Sequence, residues 1–363
     1  MSMKTLDEIQ QLVVNDLKVF RHGYFSGMES FFYRGSSPKR GGNFEETRYR
    51  VPSLSFFDGF QLVGNVGGER PSDYARSLHL HNVALQKERV RAVAFGFDIE
   101  PLTDANGRPS ETQPNFQRFM DTVVRYANDF LLLHVTDPYK THAYRYVTEK
   151  HIDMSESARI SGAVNPFLFG KDGTVYADNV DGYALLEAVE EKRPVVGANI
   201  LLIGAGGTAS SIALEALNRG VGRLVVLNRT EERAHELGRQ LKVHYPRLSE
   251  EQLTTGGGEK QMSKSLEEYA PDADIVISAA TTNPYFTHEL AGVIPRRVLF
   301  ADTNYGDAAT TARIARETGH MSIDGGPMVY FGVERAARVA FERKLGRKLQ
   351  ESTLAAVKKE AFG

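Results

Sequence analysis

An apolar run, Asn199 to Ile203, leads directly into Gly204-Ala205-Gly206-Gly207-Thr208-Ala209, and Ile212, Leu214 and Leu217 then recur at helical spacing. Strand, tight glycine turn and helix in that order form the first half of a dinucleotide-binding βαβ unit. Gly204 permits the turn, Gly206 lets a backbone approach a pyrophosphate, and the small Ala209 lets helix and strand pack closely. The pyrophosphate would sit on the free N–H groups of Gly207 and Thr208 at the positive end of the helix. A second apolar run, residues 223–227, ends in Asn228-Arg229-Thr230. An NAD-binding unit carries an acidic residue near this point for the ribose 2′-hydroxyl, about twenty residues after the glycines. Asn228, Arg229 and Thr230 suit a 2′-phosphate instead, so the residues predict NADP as cofactor. Glu231 and Glu232 would begin the next helix and point away.

Composition narrows the remaining classes. A chain of 363 residues is long enough for two domains with separate cores. A net charge of −2 gives no reason to expect nucleic acid or an anionic membrane as partner. With no cysteine, disulfides, cysteine nucleophiles and thiolate-bound zinc are excluded. The first twenty residues carry charges throughout and lack an apolar signal core, and no run is long enough to span a bilayer. The expectation is a soluble, cytoplasmic monomer or homodimer acting on a small molecule, with no metal.

Hydrophobic spacing predicts an amphipathic helix over residues 4–20, then short extended segments joined by loops as far as residue 60, with a basic turn at residues 34–42. A first strand is expected at residues 60–63, a helix from about His81, a strand at 92–97, a surface loop at 104–115, a helix at 116–127 and a strand at 130–135. Strands and helices alternate in both halves, so the fold class is α/β with two domains and mainly parallel sheets, the second of Rossmann type. Residues 192–197 read as a linker. Gly256 to Gly258 read as a flexible polar loop, and residues 327–345 as the last helix. The predicted division is an extension at 1–60, a substrate domain at 61–192, a nucleotide domain at 193–325 and C-terminal helices at 326–363.

Three short segments could carry chemistry. His134-Val135-Thr136-Asp137-Pro138-Tyr139-Lys140 leaves a strand and enters a helix, where open α/β sheets place ligands. Ser161 to Pro166 and Asp178 to Tyr183 supply amides and carboxylates on turns. An alcohol that loses hydride must also lose a proton, and Lys140 oriented by Asp181 could exchange it. The same residues would also make an ordinary surface ion pair and turn. His79 and His81 stand at an i, i+2 spacing with no third metal ligand evident, which favours helix-start and packing roles.

In this order the segments resemble the shikimate/quinate dehydrogenase family over about residues 60–346. The family's Asn-Val-Thr-x-Pro-x-Lys motif matches His134 to Lys140, which implies that Lys140 is catalytic and Thr136 faces the substrate. Its Gly-Ala-Val-Asn-Thr motif matches Gly162 to Pro166, with substrate-binding Asn165. Its Gly-x-Asn-Thr-Asp-Gly motif matches Ala177 to Gly182, with catalytic Asp181. The Asn-Arg-Thr turn is identical at Asn228 to Thr230. Asp302 and Tyr305 match a strand end whose tyrosine meets substrate, and Asp324, Gly325 and Met328 match a turn before the last helix. The resemblance implies reversible hydride transfer between NADP(H) and a polar ring alcohol or ketone, and a last helix that returns to the first domain.

The departures concern substrate. A Ser-x-Ser carboxylate site appears as Ala75-Arg76-Ser77, so only Ser77 matches; Arg76 could grip the carboxylate in its place. His134 replaces an asparagine and is a candidate substrate contact or a packed side chain. Gly332 replaces a glutamine of the last helix. Each lost partner of a buried polar group costs about 1–3 kcal/mol, which disfavours unmodified shikimate. Two other functions fit the same residues: a ligand-sensing protein without catalysis, and an NADP-dependent imine reductase.

Overall fold

A computed structural model describes residues 20–25, 61–68, 75–99, 101–104 and 109–362. The expected helix at 4–20 lies outside these residues except for Phe20, which begins a strand, and the basic turn at 34–42 lies outside them. Along the chain, β1 (Phe20–Phe25), β2 (Gln61–Gly67), α1 (Arg76–Lys87), β3 (Ala92–Asp98), α2 (Pro114–Arg125), β4 (Phe130–Val135) and α3 (Lys140–Glu149) come first. Then come β5 (Asp153–Met154), α4 (Glu156–Ser161), β6 (Phe167–Phe169), β7 (Val175–Ala177) and α5 (Asp181–Glu190). The glycine-rich half follows as β8 (Asn199–Ile203), α6 (Gly207–Asn218), β9 (Arg223–Asn228), α7 (Glu231–His244), β10 (Leu253–Gly257) and α8 (Met262–Tyr269). It ends with β11 (Ile275–Ser278), α9 (His288–Val293), β12 (Leu299–Asp302), α10 (Thr310–Glu317) and β13 (Ser322–Ile323). Two helices close the chain: α11 (Gly326–Ala340), prolonged by a π-helical turn, and α12 (Glu351–Phe362).

The fold is α/β, and the chain divides into two compact units. The first holds residues 1–155, 163–178 and 333–363, and the second holds 156–162 and 179–332. In the first unit the sheet order is β1-β3-β2-β4-β6-β7-β5. Its centre, β3-β2-β4, is parallel, while β1 and the β6–β7 hairpin add antiparallel neighbours. Leu78 and Leu85 of α1, Val63, Leu131, Leu168, Ala337, Phe341 and Leu354 form one buried cluster there. The end of α11 and the start of α12 therefore complete a core begun some 270 residues earlier in the chain, as Leu354 and Leu85 show.

In the second unit every pairing is parallel and the order is β10-β9-β8-β11-β12-β13. Renumbered within the unit, that is 3-2-1-4-5-6, the doubly wound order whose switch point falls between its first and fourth strands. Ile200 to Ile203 and all of β11 and β12 are buried, the mark of strands covered on both faces.

Some boundaries differ from expectation. β2 runs on through Gly64 to Gly67, because β3 pairs with it to Gly67 and β4 to Val66. α1 starts at Arg76 instead of near His81. Ser-Leu-His-Leu-His alternates like a strand, yet Leu78 and Leu85 lie one helical repeat apart and pack on the sheet. Gly256 and Gly257 belong to strand β10, paired with β9, and are not part of a loop. The surface loop after β3 is closed by Gln113, whose side chain bonds both Leu102 backbone groups, at 2.9 and 2.8 Å.

Candidate active site

In the second unit the glycine turn sits at the C-terminal end of β8. Gly204 has φ +123°, and a β-carbon there would lie 2.8 Å from the Ala279 carbonyl oxygen, so no other residue fits. Gly206 caps α6 in an extended conformation. Open space lies where its β-carbon would be, so it leaves room for a ligand rather than for a packed neighbour. Ala209 is fully buried and lies beneath Gly204, 3.6 Å from the β-carbon position. Ala205, Gly207 and Thr208 complete a turn that delivers the free N–H groups of α6 to one point. These features fit a pyrophosphate.

At the end of the adjacent strand, the Asn228 side-chain amide donates to the Thr230 carbonyl at 2.7 Å and shapes its own turn. Arg229 and Thr230 are exposed there. The Gly258 N–H donates to the Asn228 carbonyl at 3.0 Å, and a β-carbon at Gly257 would meet that carbonyl at 2.3 Å. Sequence reading placed these two glycines in a flexible loop; in the structure both have positive φ and stand beside the basic turn.

Asp181 opens α5 and is buried. Its N–H donates to Asn179 Oδ1 at 3.0 Å, and the Asn179 amide donates to Ser161 Oγ at 2.9 Å. Its Oδ2 accepts from the Thr208 hydroxyl at 2.9 Å, so the carboxylate and the glycine turn are in direct contact. Asp302, buried at the end of β12, accepts from the N–H groups of Asn304 and Thr311, each at 3.0 Å. Burial pushes its carboxyl above the usual range in spite of these donors. Tyr305 follows it, with 43% of its surface exposed. A β-carbon at Gly332 would make only ordinary contact with Ala184 and Val180.

In the first unit, Lys140 is the first residue of α3, and its carbonyl accepts from the Val164 N–H at 3.0 Å. Tyr139 before it is fully buried, stacked on Phe116, with its hydroxyl on the Ile99 carbonyl at 2.9 Å. These contacts anchor the chain where it enters α3. The Thr136 N–H and hydroxyl both reach the Val66 carbonyl, at 2.8 and 3.3 Å.

His134 is buried, with Nδ1 3.1 Å from Asn165 Oδ1 and Nε2 2.9 Å from His81 Nε2. The Val135 N–H also donates to Asn165 Oδ1, at 3.3 Å, which identifies that atom as the acceptor. A neutral His134 in this arrangement carries its proton on Nδ1, and its Nε2 accepts from His81. Burial first, and the neighbouring His134 second, hold the His81 pKa well below the usual imidazole value. Ser77 stands one helical turn from His81 and accepts from Asn65 Nδ2 at 2.8 Å. Asn65 is the strand partner of His134, so Ser77, Asn65, His81, His134 and Asn165 make one polar patch at the C-terminal ends of β2 and β4. Asn65 Oδ1 is buried there and has no hydrogen-bond partner among the described residues. Arg76 is exposed, and His79 pairs with Glu360 at 2.7 Å.

Among the described residues, no cluster of three or more histidines and carboxylates could hold a metal, and no helix is long and apolar enough to cross a membrane. Comparison with known proteins adds a lineage to this geometry. The family profile described as Shikimate / quinate 5-dehydrogenase matches residues 187–300. A shikimate dehydrogenase (NADP(+)) of Chromobacterium violaceum is 32% identical over 290 residues, covering 77% of this chain and 90% of its own length. Among solved structures, the shikimate 5-dehydrogenase of Listeria monocytogenes, in complex with shikimate and NAD, superposes with a TM-score of 0.63 at 18% identity. That match covers 87% of this chain and 99% of the Listeria protein. A 5-ketofructose reductase of a Gluconobacter strain superposes with a TM-score of 0.56 at 18% identity, covering 84% and 99%. At those identities the two structures speak for the fold; the Chromobacterium relative, matched over nearly all of its length, speaks for descent. The chain belongs to the shikimate/quinate dehydrogenase family.

Proposed function

We propose that the protein is an NADP-dependent dehydrogenase acting on a CH–OH group of a small, polar, ring-shaped alcohol, and on the matching ketone in reverse. The observation that carries this reading is the retention, in one chain and in family order, of Lys140, Asn165, Asp181 and the Asn228-Arg229-Thr230 turn. NADP(H), when bound, supplies or accepts the hydride. Gly204 to Ala209 hold its pyrophosphate with backbone N–H groups, and Arg229, with Asn228 and Thr230, holds the 2′-phosphate. Lys140 gives a proton to the carbonyl oxygen during reduction and takes it back during oxidation. Asp181 holds Lys140 in place and meets a ring hydroxyl. Asn165, Thr136, Ser77 and Tyr305 contact the substrate, and His134 shapes that wall.

The substrate carries a carboxylate but differs from shikimate where Ala75, His134 and Gly332 stand. The patch at β2 and β4 supports this, since His134 engages Asn165 and His81 with its two ring nitrogens. A panel of dehydroshikimate-like ketones with NADPH tests the activity. Oxidation of NADPH with at least one of them is expected, and Lys140→Ala should slow it by about 10²–10⁴ with little change in cofactor affinity. Tight binding of such ligands without any oxidation would favour a sensor in place of an enzyme. Turnover of cyclic imines alone would favour an imine reductase.

A further inference from the structure

Helices α5 and α6 touch at a residue without a side chain. A β-carbon at Gly182 would lie 2.2 Å from the Ser211 carbonyl oxygen, and the Gly182 N–H donates to the Ser211 hydroxyl at 2.9 Å. Ser211 Oγ lies 3.0 Å from Ser157 Oγ on α4, so three helices are joined there. This close approach sets the first turn of α5 beside the first turn of α6. There the Thr208 hydroxyl donates to Asp181 Oδ2 at 2.9 Å.

We propose that Thr208 is a positioning residue for Asp181, and that it ties the glycine turn to the carboxylate the reaction uses. The terminal torsion of an aspartate is broad and weakly restrained by itself. One oxygen held by a donor fixes the plane of the group and the direction of the other. The same donor favours the ionised form. The backbone is fixed independently, through Asn179 and Ser161, so the hydroxyl acts on the carboxylate's orientation and charge and leaves its location to the other contacts. Thr208 thus has a side-chain task distinct from the backbone N–H that it offers to a pyrophosphate. The inference deepens the proposed function and rests on Asp181 working with Lys140.

The test uses the full-length protein and the ketone of the panel that is turned over fastest. Thr208→Val keeps the shape and removes the donor; Thr208→Ser keeps the donor and removes the methyl group. A thermal midpoint is measured for each, and Thr208→Ala serves as the donor-free variant if the valine does not fold. Loss of a hydrogen bond to a charged group should lower kcat about tenfold or more, with the KM for NADPH unchanged. The acid limb of the kcat–pH profile should move to higher pH, and Thr208→Ser should restore both readouts. A raised KM for NADPH at unchanged kcat would overturn the proposal in favour of a cofactor contact. Equal losses in the serine and valine variants would overturn it in favour of packing. Asp181→Asn is assayed alongside. Full turnover in that variant would sink the Lys140–Asp181 reading itself, whereas loss there with full turnover in Thr208→Val would sink this inference alone.

Discussion

His81 and His134 share one proton position between two ring nitrogens 2.9 Å apart, in a place closed to water. The folded-state pKa of His81 is depressed, so the folded protein leaves it neutral where the unfolded chain takes up a proton. Its contribution to stability is present above the unfolded value of about 6.5 and is lost as pH falls below that toward the folded value. Urea midpoints at about pH 7.5 and pH 5.5 should therefore differ, and His81→Gln should narrow the gap by removing the titrating group. An equal gap in the variant would assign the acid sensitivity elsewhere. Arg229 offers the opposite kind of residue, exposed and removable without harm to the core. Arg229→Ala should raise the KM for NADPH about tenfold, the usual scale for one charge-assisted contact to phosphate, and leave NADH unaffected. Parallel loss with both nucleotides would place the 2′-phosphate elsewhere.

Among the elements, the seam between α1 and α12 shows how a distant segment is locked in place. Glu88, at the end of α1, is buried and accepts from the Arg347 guanidinium, from the Gln350 N–H at 2.8 Å and from the Thr353 hydroxyl at 2.7 Å. Burial alone would push its carboxyl up, but these donors outweigh it and hold it below the usual range. The seam therefore contributes stability above the ordinary glutamate pKa of about 4.3 and loses it as pH falls through the lower folded value. Glu88→Ala should cost roughly 2–3 kcal/mol, since it removes several hydrogen bonds to one buried charged group. Chemical denaturation at neutral pH measures it, and a change under about 0.5 kcal/mol would mark the seam as incidental.

At the scale of the whole molecule, the first unit depends on residues far along the chain from its other elements. Phe341, Leu349 and Leu354 belong to the same buried cluster as Val63, Leu85 and Leu131. A chain ending at Gly346 would lack Leu349 and Leu354 and the partners of Glu88, and would expose Leu85 and its neighbours. It should melt well below the full-length protein and bind a hydrophobic dye, and an unchanged melting curve would refute that dependence. The dependence was only half legible. Residues 327–345 carry an apolar stripe that reads as a helix, whereas α12 has a weak one, so within the C-terminal helices expected at 326–363 its bounds were not legible. Its place is set by Glu88 and by Leu354, contacts that no local pattern announces.

The sequence by itself determined the second unit's character and named the candidates for the site. The β8–glycine–α6 passage, the strand ending in Asn228-Arg229-Thr230, and Lys140 at a strand-to-helix turn are local patterns, and local sterics and hydrophobic spacing suffice to read them. Tertiary structure alone decided the rest, because it depends on neighbours far apart in the chain. The strand β10 under Gly256 and Gly257, the His81–His134–Asn165 chain and the Thr208–Asp181 bond join residues 27 to 53 positions apart, and the five-residue advance of α1 follows from its packing on the sheet. Hydrogen bonds and close approaches of that kind follow from how sheets and helices pack, and the spacing of residues along the chain carries no record of them.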